Sequence, residues 1–484
     1  MNAITQNTTP ITKRNKDPDL LRGLGMWAAT AVVVGSMIGQ AVFLVASEMS
    51  HEVGSPTMVL TAWMVGGIVV LFAAFCCAEL SASMPEAGGE YVYLTRGIGP
   101  TWGFLYGWAS SIVMRPAAQA VIAAGMLRFL SFLEPSVATP MFVWELSLPF
   151  HSRPYSFTFT TAQPIAAGTI AVVTMLNYVG VRTAGGFQIF LTSLKVAAVA
   201  VILGLGFISG GHTRSDLAHA SVSSSSLAAF LTALVPVMAA YNGFQMLGSV
   251  GGEVRNPGKT LPKAAILGTA AVVLLYLLIN SVYFRVLGYS QIVQSQHVAS
   301  DAVACLIGAR GAKWFTLAMI MSAFGSLHAG FLTGPRVPLA MARDGNFFRF
   351  AKRIHPRFHS PGNAVVFQGC LSILLVLTGT YQELYSYSVF AIWVFFALTA
   401  AALIRLRFTE PEMTRPYRVW GYPCTPVVVA VAAFAISVNL WLQRPVRSSI
   451  GLAIILLGLP FLNYWRKSNV SKIEASEDGL CADF

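Results

Sequence analysis

A lysine stands where an apolar chain tolerates one least. Lys195 lies in Leu194-Lys195-Val196-Ala197-Ala198, near the middle of a long apolar run. An ionisable group inside lipid is costly and marks function by default. Three readings are open for it. It is a fixed positive charge donating to free main-chain carbonyls of a neighbouring segment, a proton carrier that works by deprotonation, or an ammonium that snorkels to a polar cavity. Two other segments carry chemistry of a different kind. Gly35-Ser36-Met37-Ile38-Gly39-Gln40-Ala41-Val42-Phe43 and Ala239-Ala240-Tyr241-Asn242-Gly243-Phe244-Gln245 each place glycine and an amide side chain inside an apolar run. Such interruptions free N–H and C=O groups at membrane depth. Paired interruptions in corresponding helices point to a carrier site built from broken helices; the competing reading is close, glycine-mediated helix packing.

The other intramembrane polar residues are less committed. Arg115 precedes Pro116, and Arg336 stands in Gly334-Pro335-Arg336-Val337-Pro338; each is a helix tie, a pore-lining charge or a substrate contact. Glu79 and Glu253 both end apolar runs on the basic side of the chain. They are either inner-gate partners for basic residues such as Arg182 or Arg336, or solvated helix ends. His328, Tyr241 and Asn242 are candidates to line a polar cavity. The six cysteines show no metal spacing, so neither metal nor cofactor is expected. No His/Asp/Glu cluster or Ser–Lys pair lies inside an apolar run, which argues against an enzyme.

These residues need elements that hold them in a bilayer. The 484 residues are 55% hydrophobic and 11% charged, against about 25% charged in soluble chains. Apolar runs of membrane-crossing length recur about twelve times, at roughly 25–48, 57–79, 101–130, 164–181, 186–209, 228–250, 263–287, 314–341, 363–380, 384–406, 424–443 and 446–465. They are continuous rather than alternating, hence helices and not barrel strands. Longer outer connections are expected at about 131–163, 210–227 and 287–313. The expected organisation is an N-terminal tail over 1–23, a membrane domain over 24–467 and a C-terminal tail over 468–484.

The net charge of +12 follows the same map. One side collects most lysines and arginines, while the other holds only Arg128, Arg153, Arg214, Arg285, Arg310, Lys313, Arg444 and Arg447. The positive-inside rule makes the first side cytoplasmic, with both termini inside. The basic balance thus reports topology rather than a nucleic-acid partner. The polar stretch from Met1 to Arg22 and the length of the run after it do not read as a signal peptide.

Several segments together resemble the amino acid–polyamine–organocation superfamily, closest to its L-type amino acid transporter branch. They are Gly35–Phe43; Ala78-Glu79-Leu80 with Pro85-Glu86-Ala87-Gly88-Gly89-Glu90-Tyr91; Tyr106-Gly107-Trp108 with Arg115-Pro116-Ala117-Ala118-Gln119-Ala120; Lys195; Glu253-Val254-Arg255-Asn256-Pro257 with Leu261-Pro262; Phe324-Gly325-Ser326 through Arg343-Asp344-Gly345; and Arg415-Pro416-Tyr417. The resemblance implies a twelve-helix fold with a five-plus-five inverted repeat and helices one and six broken. It implies secondary active transport of amino acids across a plasma membrane of the bacterial inner-membrane kind, by alternating access, with exchange or proton coupling. A polyamine or other organic-cation carrier of the same fold is the alternative, and it would need cavity-facing acids that are scarce here.

Carried over to this chain, the resemblance implies that the N–H groups of Gln40 and Ala41 meet a substrate carboxylate, with Gly39 giving the backbone room. Carbonyls of Met37, Ala239 and Asn242 would meet the ammonium, with Tyr241 and Gly243 beside them. Two departures stand out. Gln40 and Ala41 replace the family's serine and glycine, and Ala239 and Asn242 replace a gating aromatic and a glycine. Bulk and an amide are added at one end and an aromatic lid is lost at the other, which argues against a standard large neutral substrate. The outer connection after the third run has no cysteine, so no disulfide-linked heavy chain is expected. The expected partners are a small amino acid and the lipid bilayer, with the chain acting as a monomer.

Overall fold

The computed structural model describes residues 23–466, apart from 87, 147–154, 180–183, 209–226, 359, 379–380 and 444. The two expected tails and Arg182 therefore lie outside the described residues. Ten helices are long and apolar enough to cross a membrane, and Leu227–Ala240 and Gly362–Thr378 are shorter apolar ones. In chain order the spans are Met26–Val53, Pro56–Ser83, Pro100–Leu133, Ala162–Val179, Phe190–Ile208, Leu227–Ala240, Pro257–Gln294, Val298–Arg343, Gly362–Thr378, Phe390–Thr409, Cys424–Gln443 and Ser448–Arg466. Each of these helices overlaps one of the apolar runs of the sequence. Helix is the form that satisfies every main-chain group inside lipid.

The packing partners follow a simple rule. The first span meets the sixth, the second the seventh, the third the eighth and the fourth the ninth. Pairing of spans five apart is in keeping with two five-span halves folded on each other. Apolar side chains from the third, fourth, eighth and ninth spans form a separate small core around Ala120, Ile170, Leu327 and Val365. The larger core gathers the first, second, sixth, seventh and tenth spans around Trp63, Tyr241 and Tyr276.

Two connections depart from the sequence expectation of plain loops. Residues 287–313 are largely helical, because the seventh span runs on to Gln294 and the eighth begins at Val298. The turns are made at Gly288 (φ 74°) and at Gly308 (φ 77°), where a positive φ, open to glycine, kinks the chain between two helices. Between the third and fourth spans, strands β1 (Pro140–Leu146) and β2 (Tyr155–Thr160) pair antiparallel. Phe142 stacks on Phe159 across them at 4.8 Å.

Candidate functional site

The first span is two helices, Met26–Met37 and Ala41–Val53, separated by three residues. Ile38 leaves the helical region (ψ 81°), and the Gly39 N–H turns back to the Met37 carbonyl at 2.7 Å. That turn removes the donor that Gly35 O would have received in a continuous helix. Lys195 supplies a replacement. Its Nζ donates to Gly35 O at 3.2 Å and to Ser326 Oγ of the eighth span at 2.8 Å. The lysine is thus in contact with a freed carbonyl, at 1% exposure.

Beyond the break the second half-helix begins with free donors. The N–H groups of Gln40, Ala41 and Val42 meet no acceptor among the described residues. A helix N-terminus in this state favours an anion. The Gln40 side chain is 7% exposed and donates its amide N–H to the Ile122 carbonyl of the third span. Its Oε1 is buried with no partner among the described residues. Gln40 is therefore not a free amide, but an anchored one that presents an acceptor.

The sixth span breaks after Ala240, turns through Tyr241–Gln245 and resumes as the short helix Met246–Ser249. Gly243 (φ 135°) sits at the tightest point. A Cβ there would lie 2.7 Å from the carbonyl carbon of Ser36 and 2.9 Å from Met37 N. The two breaks thus touch backbone to backbone. Within the turn, Gln245 Nε2 donates to Asn242 Oδ1 at 2.5 Å and the Gly243 N–H donates to Gln245 Oε1 at 3.1 Å. This closed amide loop engages the Asn242 oxygen.

Tyr276 of the seventh span joins the two breaks. Its hydroxyl donates to Met37 O at 2.6 Å and lies 3.4 Å from Ala240 O. Its ring stacks on Tyr241 at 5.1 Å, and Trp63 sets its edge against both at 5.4 Å. The sequence offers Tyr241 as a cavity-lining hydroxyl, but the structure turns that hydroxyl to the Trp63 carbonyl at 3.2 Å. Met37 O likewise already accepts from Gly39 and Tyr276. Sequence reasoning missed Tyr276 and Gln245. The signal for Tyr276 was weak: one hydroxyl in an otherwise apolar stretch, with no glycine or charge to flag it.

The expected gate residues also find different partners. Glu79 is 2% exposed and takes a two-point clasp from Arg407, with Nε at 2.8 Å and Nη2 at 2.6 Å. Arg415 Nε stands at 3.4 Å, and the Val419 N–H donates at 2.6 Å. Among the described residues the partners of Glu79 are Arg407 and Arg415 rather than Arg336, while Arg182 lies outside them. Arg336 instead donates to the Leu332 carbonyl one turn earlier. The side chain of Glu253 lies outside the described residues. Arg115 is 6% exposed at the end of a π-helical turn, Ser110–Met114. It lies within electrostatic reach of Glu90, whose carboxylate accepts from Tyr106. His328 is 3% exposed on the eighth span.

Two broken helices packed against each other in a bundle of apolar membrane-length helices, with a buried lysine tied to the first break, define a secondary transporter of the broken-helix type. The amino acid permease family model matches residues 24–460, and the chain belongs to that family. It is 28% identical over 459 residues to the serine/threonine exchanger SteT of Bacillus subtilis, covering 94% of this chain and 99% of that one. It is 30% identical over 459 residues to the cystine/glutamate transporter of Homo sapiens (92% and 87%). Over 412 residues it is 31% identical to b(0,+)-type amino acid transporter 1 of Oryctolagus cuniculus (84% and 80%). The chain is a multi-pass membrane protein that carries amino acids by secondary active transport.

Two substitutions test this geometry. Gly243→Ala adds a Cβ where φ is positive and the Ser36 backbone is 2.7 Å away; a strained residue of this sort costs about 1–3 kcal/mol. Thermal unfolding of the purified variant should show a lowered Tm, and an unchanged Tm would mean that the breaks do not touch. Glu79→Gln leaves the buried Arg415 and the partly buried Arg407 guanidinium groups without their counter-charge, a loss approaching the cost of about 3–5 kcal/mol for a buried pair. Arg96→Gln at the exposed Arg96–Glu410 pair should cost under about 1 kcal/mol, so the same unfolding assay ranks the two.

Proposed function

We propose that the chain exchanges small polar amino acids, held as zwitterions between the two breaks. The observation that carries this reading is the division of labour at the first break. Its freed carbonyls at Gly35 and Met37 are already bound by Lys195 and Tyr276, whereas its N–H groups at Gln40, Ala41 and Val42 are open. The open end suits a carboxylate without any charged side chain. The ammonium is left to the carbonyls of the sixth-span break, at Ala239 and Asn242, beside Gly243. Gly39 lets the substrate approach the turn. Tyr241 and Met37 then serve as buttresses rather than contacts.

Gln40 bears on the side chain of the substrate. A buried acceptor left unpaired costs about 1–3 kcal/mol, and a substrate hydroxyl or thiol donating to Gln40 Oε1 removes that cost. Ala239 supplies no aromatic lid to press on a large side chain. Lys195 occupies the place where a coupling cation would bridge the first and eighth spans, which speaks against sodium coupling. The names of the relatives, a serine/threonine exchanger and a cystine/glutamate transporter among them, support small polar cargo and exchange over proton symport. The Glu79–Arg407–Arg415 clamp serves as the inner closure. We place that side, and with it both termini, in the cytoplasm on the positive-inside rule, in a bacterial inner membrane. Cys305 is exposed and the chain works without a disulfide-linked partner.

Uptake of radiolabelled amino acids into proteoliposomes tests the reading. Serine-sized polar amino acids should enter only when the vesicles hold internal amino acid, and an imposed pH gradient should not replace it. Uptake driven by the gradient alone would make the protein a symporter. Lys195→Ala should bring exchange to background in protein that remains folded by thermal unfolding; retained exchange would remove the tie from the mechanism. With Gln40→Ser, preference for polar over apolar side chains should fall about tenfold or more, as one buried hydrogen bond commands. An unaltered substrate profile would show that Gln40 does not face the cargo.

A further inference from the structure

Away from the breaks, the fourth and ninth spans part along their outer faces. They enclose an open groove of about 740 Å³, lined chiefly by Met175, Tyr178, Phe350, Val366, Phe367 and Cys370. The spans meet closely because Gly362 and Gly369 have no side chain on the shared face. A Cβ at Gly362 would strike the Tyr178 ring at 2.6 Å. The groove widens outward from that contact, and Met175 and Val366 stand exposed on its lips. Its volume lies within the range of about 300–1,000 Å³ typical of ligand sites.

At one end the groove runs into a second, smaller pocket of about 170 Å³, bounded by Arg353, Ile354, His355 and Pro356 and sharing Tyr178 and Asn363 with the groove. The loop that forms it is internally braced. The His355 N–H donates to Ser360 O at 2.9 Å, Ser360 Oγ to Tyr178 O at 2.8 Å, and Asn363 Nδ2 to Phe350 O at 3.0 Å. The N–H groups of Arg357 and Phe358 point at His355 Nδ1, at 3.2 and 3.3 Å. Nδ1 is thereby an acceptor, so the proton of the neutral ring sits on Nε2 as a donor. The surrounding charge has one sign. Arg349, Lys352, Arg353 and Arg357 are exposed here, and no Asp or Glu occurs between Asp344 and Glu383. Arg349, Lys352 and Arg353 have no acidic partner among the described residues.

We propose that this composite groove is a binding site for an anionic phospholipid, with an acyl chain along the fourth and ninth spans and the phosphate held by Arg353, Lys352 and His355. The apolar groove and the basic pocket are joined end to end at the level where the ninth span leaves the membrane, which is the layout of a phospholipid and not of a soluble anion. A basic pocket between spans is the recognised means of holding acidic headgroups, and Tyr178 at the junction suits the interface. A zwitterionic lipid satisfies the groove but leaves the unpaired basic charge uncompensated. The site joins the spans of the small core, so its occupant bears on how the fourth and ninth spans stay together.

Native mass spectrometry of the full chain, released from mild detergent, tests this. Phosphatidylglycerol and phosphatidylcholine of the same acyl chains are offered at equal concentration. Wild type should retain phosphatidylglycerol at least tenfold over phosphatidylcholine, and millimolar inorganic phosphate or glycerol phosphate should not displace it. Lys352→Ala with Arg353→Ala should abolish the preference, while Arg310→Ala with Lys313→Ala at the opposite end of the eighth span should leave it intact. Cys370→Trp, which fills the groove from an exposed position, should lower retention of both lipids. Three results would each overturn the proposal: equal retention of the two lipids by wild type, unaltered retention in both groove variants, or displacement by phosphate alone. Thermal unfolding of each variant confirms that it is folded, so that a lost lipid is not read from a lost fold.

Discussion

A carbonyl without a donor inside a bilayer is the constraint on which the centre of this protein rests. Each unsatisfied main-chain group in lipid costs several kcal/mol, and breaking two helices at the same depth creates several at once. The chain answers with side chains from elements that are not themselves broken. Lys195 reaches Gly35 O from the fifth span and Tyr276 reaches Met37 O from the seventh. Both donors are fully buried, so each carbonyl keeps its partner without water. What remains open after these ties is the N–H end of the second half-helix. The proposed site follows by subtraction: the carbonyls are satisfied from within, and the donors without an acceptor among the described residues are the ones we propose for the substrate carboxylate.

Charge elsewhere in the membrane domain obeys the same economy. Glu79 is nearly inaccessible, yet its two oxygens meet two guanidinium groups and a main-chain N–H. Arg407 in turn lies over the Tyr422 ring at 4.4 Å, and Arg415 donates to the carbonyls of Leu406, Glu410, Pro411 and Met413. A single carboxylate therefore organises the end of the second span, the end of the tenth and the turn before the eleventh. Arg115, Tyr106 and Glu90 form a comparable buried group between the third span and the short helix Glu90–Gly97. Each group is compensated across separate elements, the first between residues more than three hundred positions apart and the second between neighbouring segments of the chain.

Which of these features could be read in the sequence follows from their range. The spans are legible because membrane thickness imposes a length and lipid imposes a composition, both local properties. The breaks at Gly39 and Gly243 are legible because glycine and amides stand out within apolar runs, and Lys195 because a charge near the middle of an apolar run is costly. Tyr276 is silent, since a tyrosine in an apolar span has the same appearance whether its hydroxyl ties a helix break or a neighbouring carbonyl. The partners of Glu79 were equally hidden: Arg407 and Arg415 lie more than three hundred residues away, and nothing local distinguishes them from Arg336. The helical arm around residues 289–307 reads as a loop because Gly288 and Gly308 are the punctuation of one, although here each joins two helices at a kink.

With cargo held at the first break as proposed, the anchored glutamine bears on discrimination among substrates. An apolar pocket separates side chains that differ by one methylene by only about 1–3 kcal/mol, whereas a site with a buried group that requires a hydrogen bond rejects the analogue lacking it far more strongly. Gln40 is such a group only because Ile122 O holds its amide nitrogen. A free amide would rotate to pair its own oxygen and forfeit the selectivity. The family's serine at this place has a hydroxyl that turns to suit its surroundings, so it cannot enforce the same demand. In the proposed binding mode, an anchored carbonyl oxygen in place of a rotating hydroxyl asks for a donor from the cargo, and it does so without introducing any charge into the membrane.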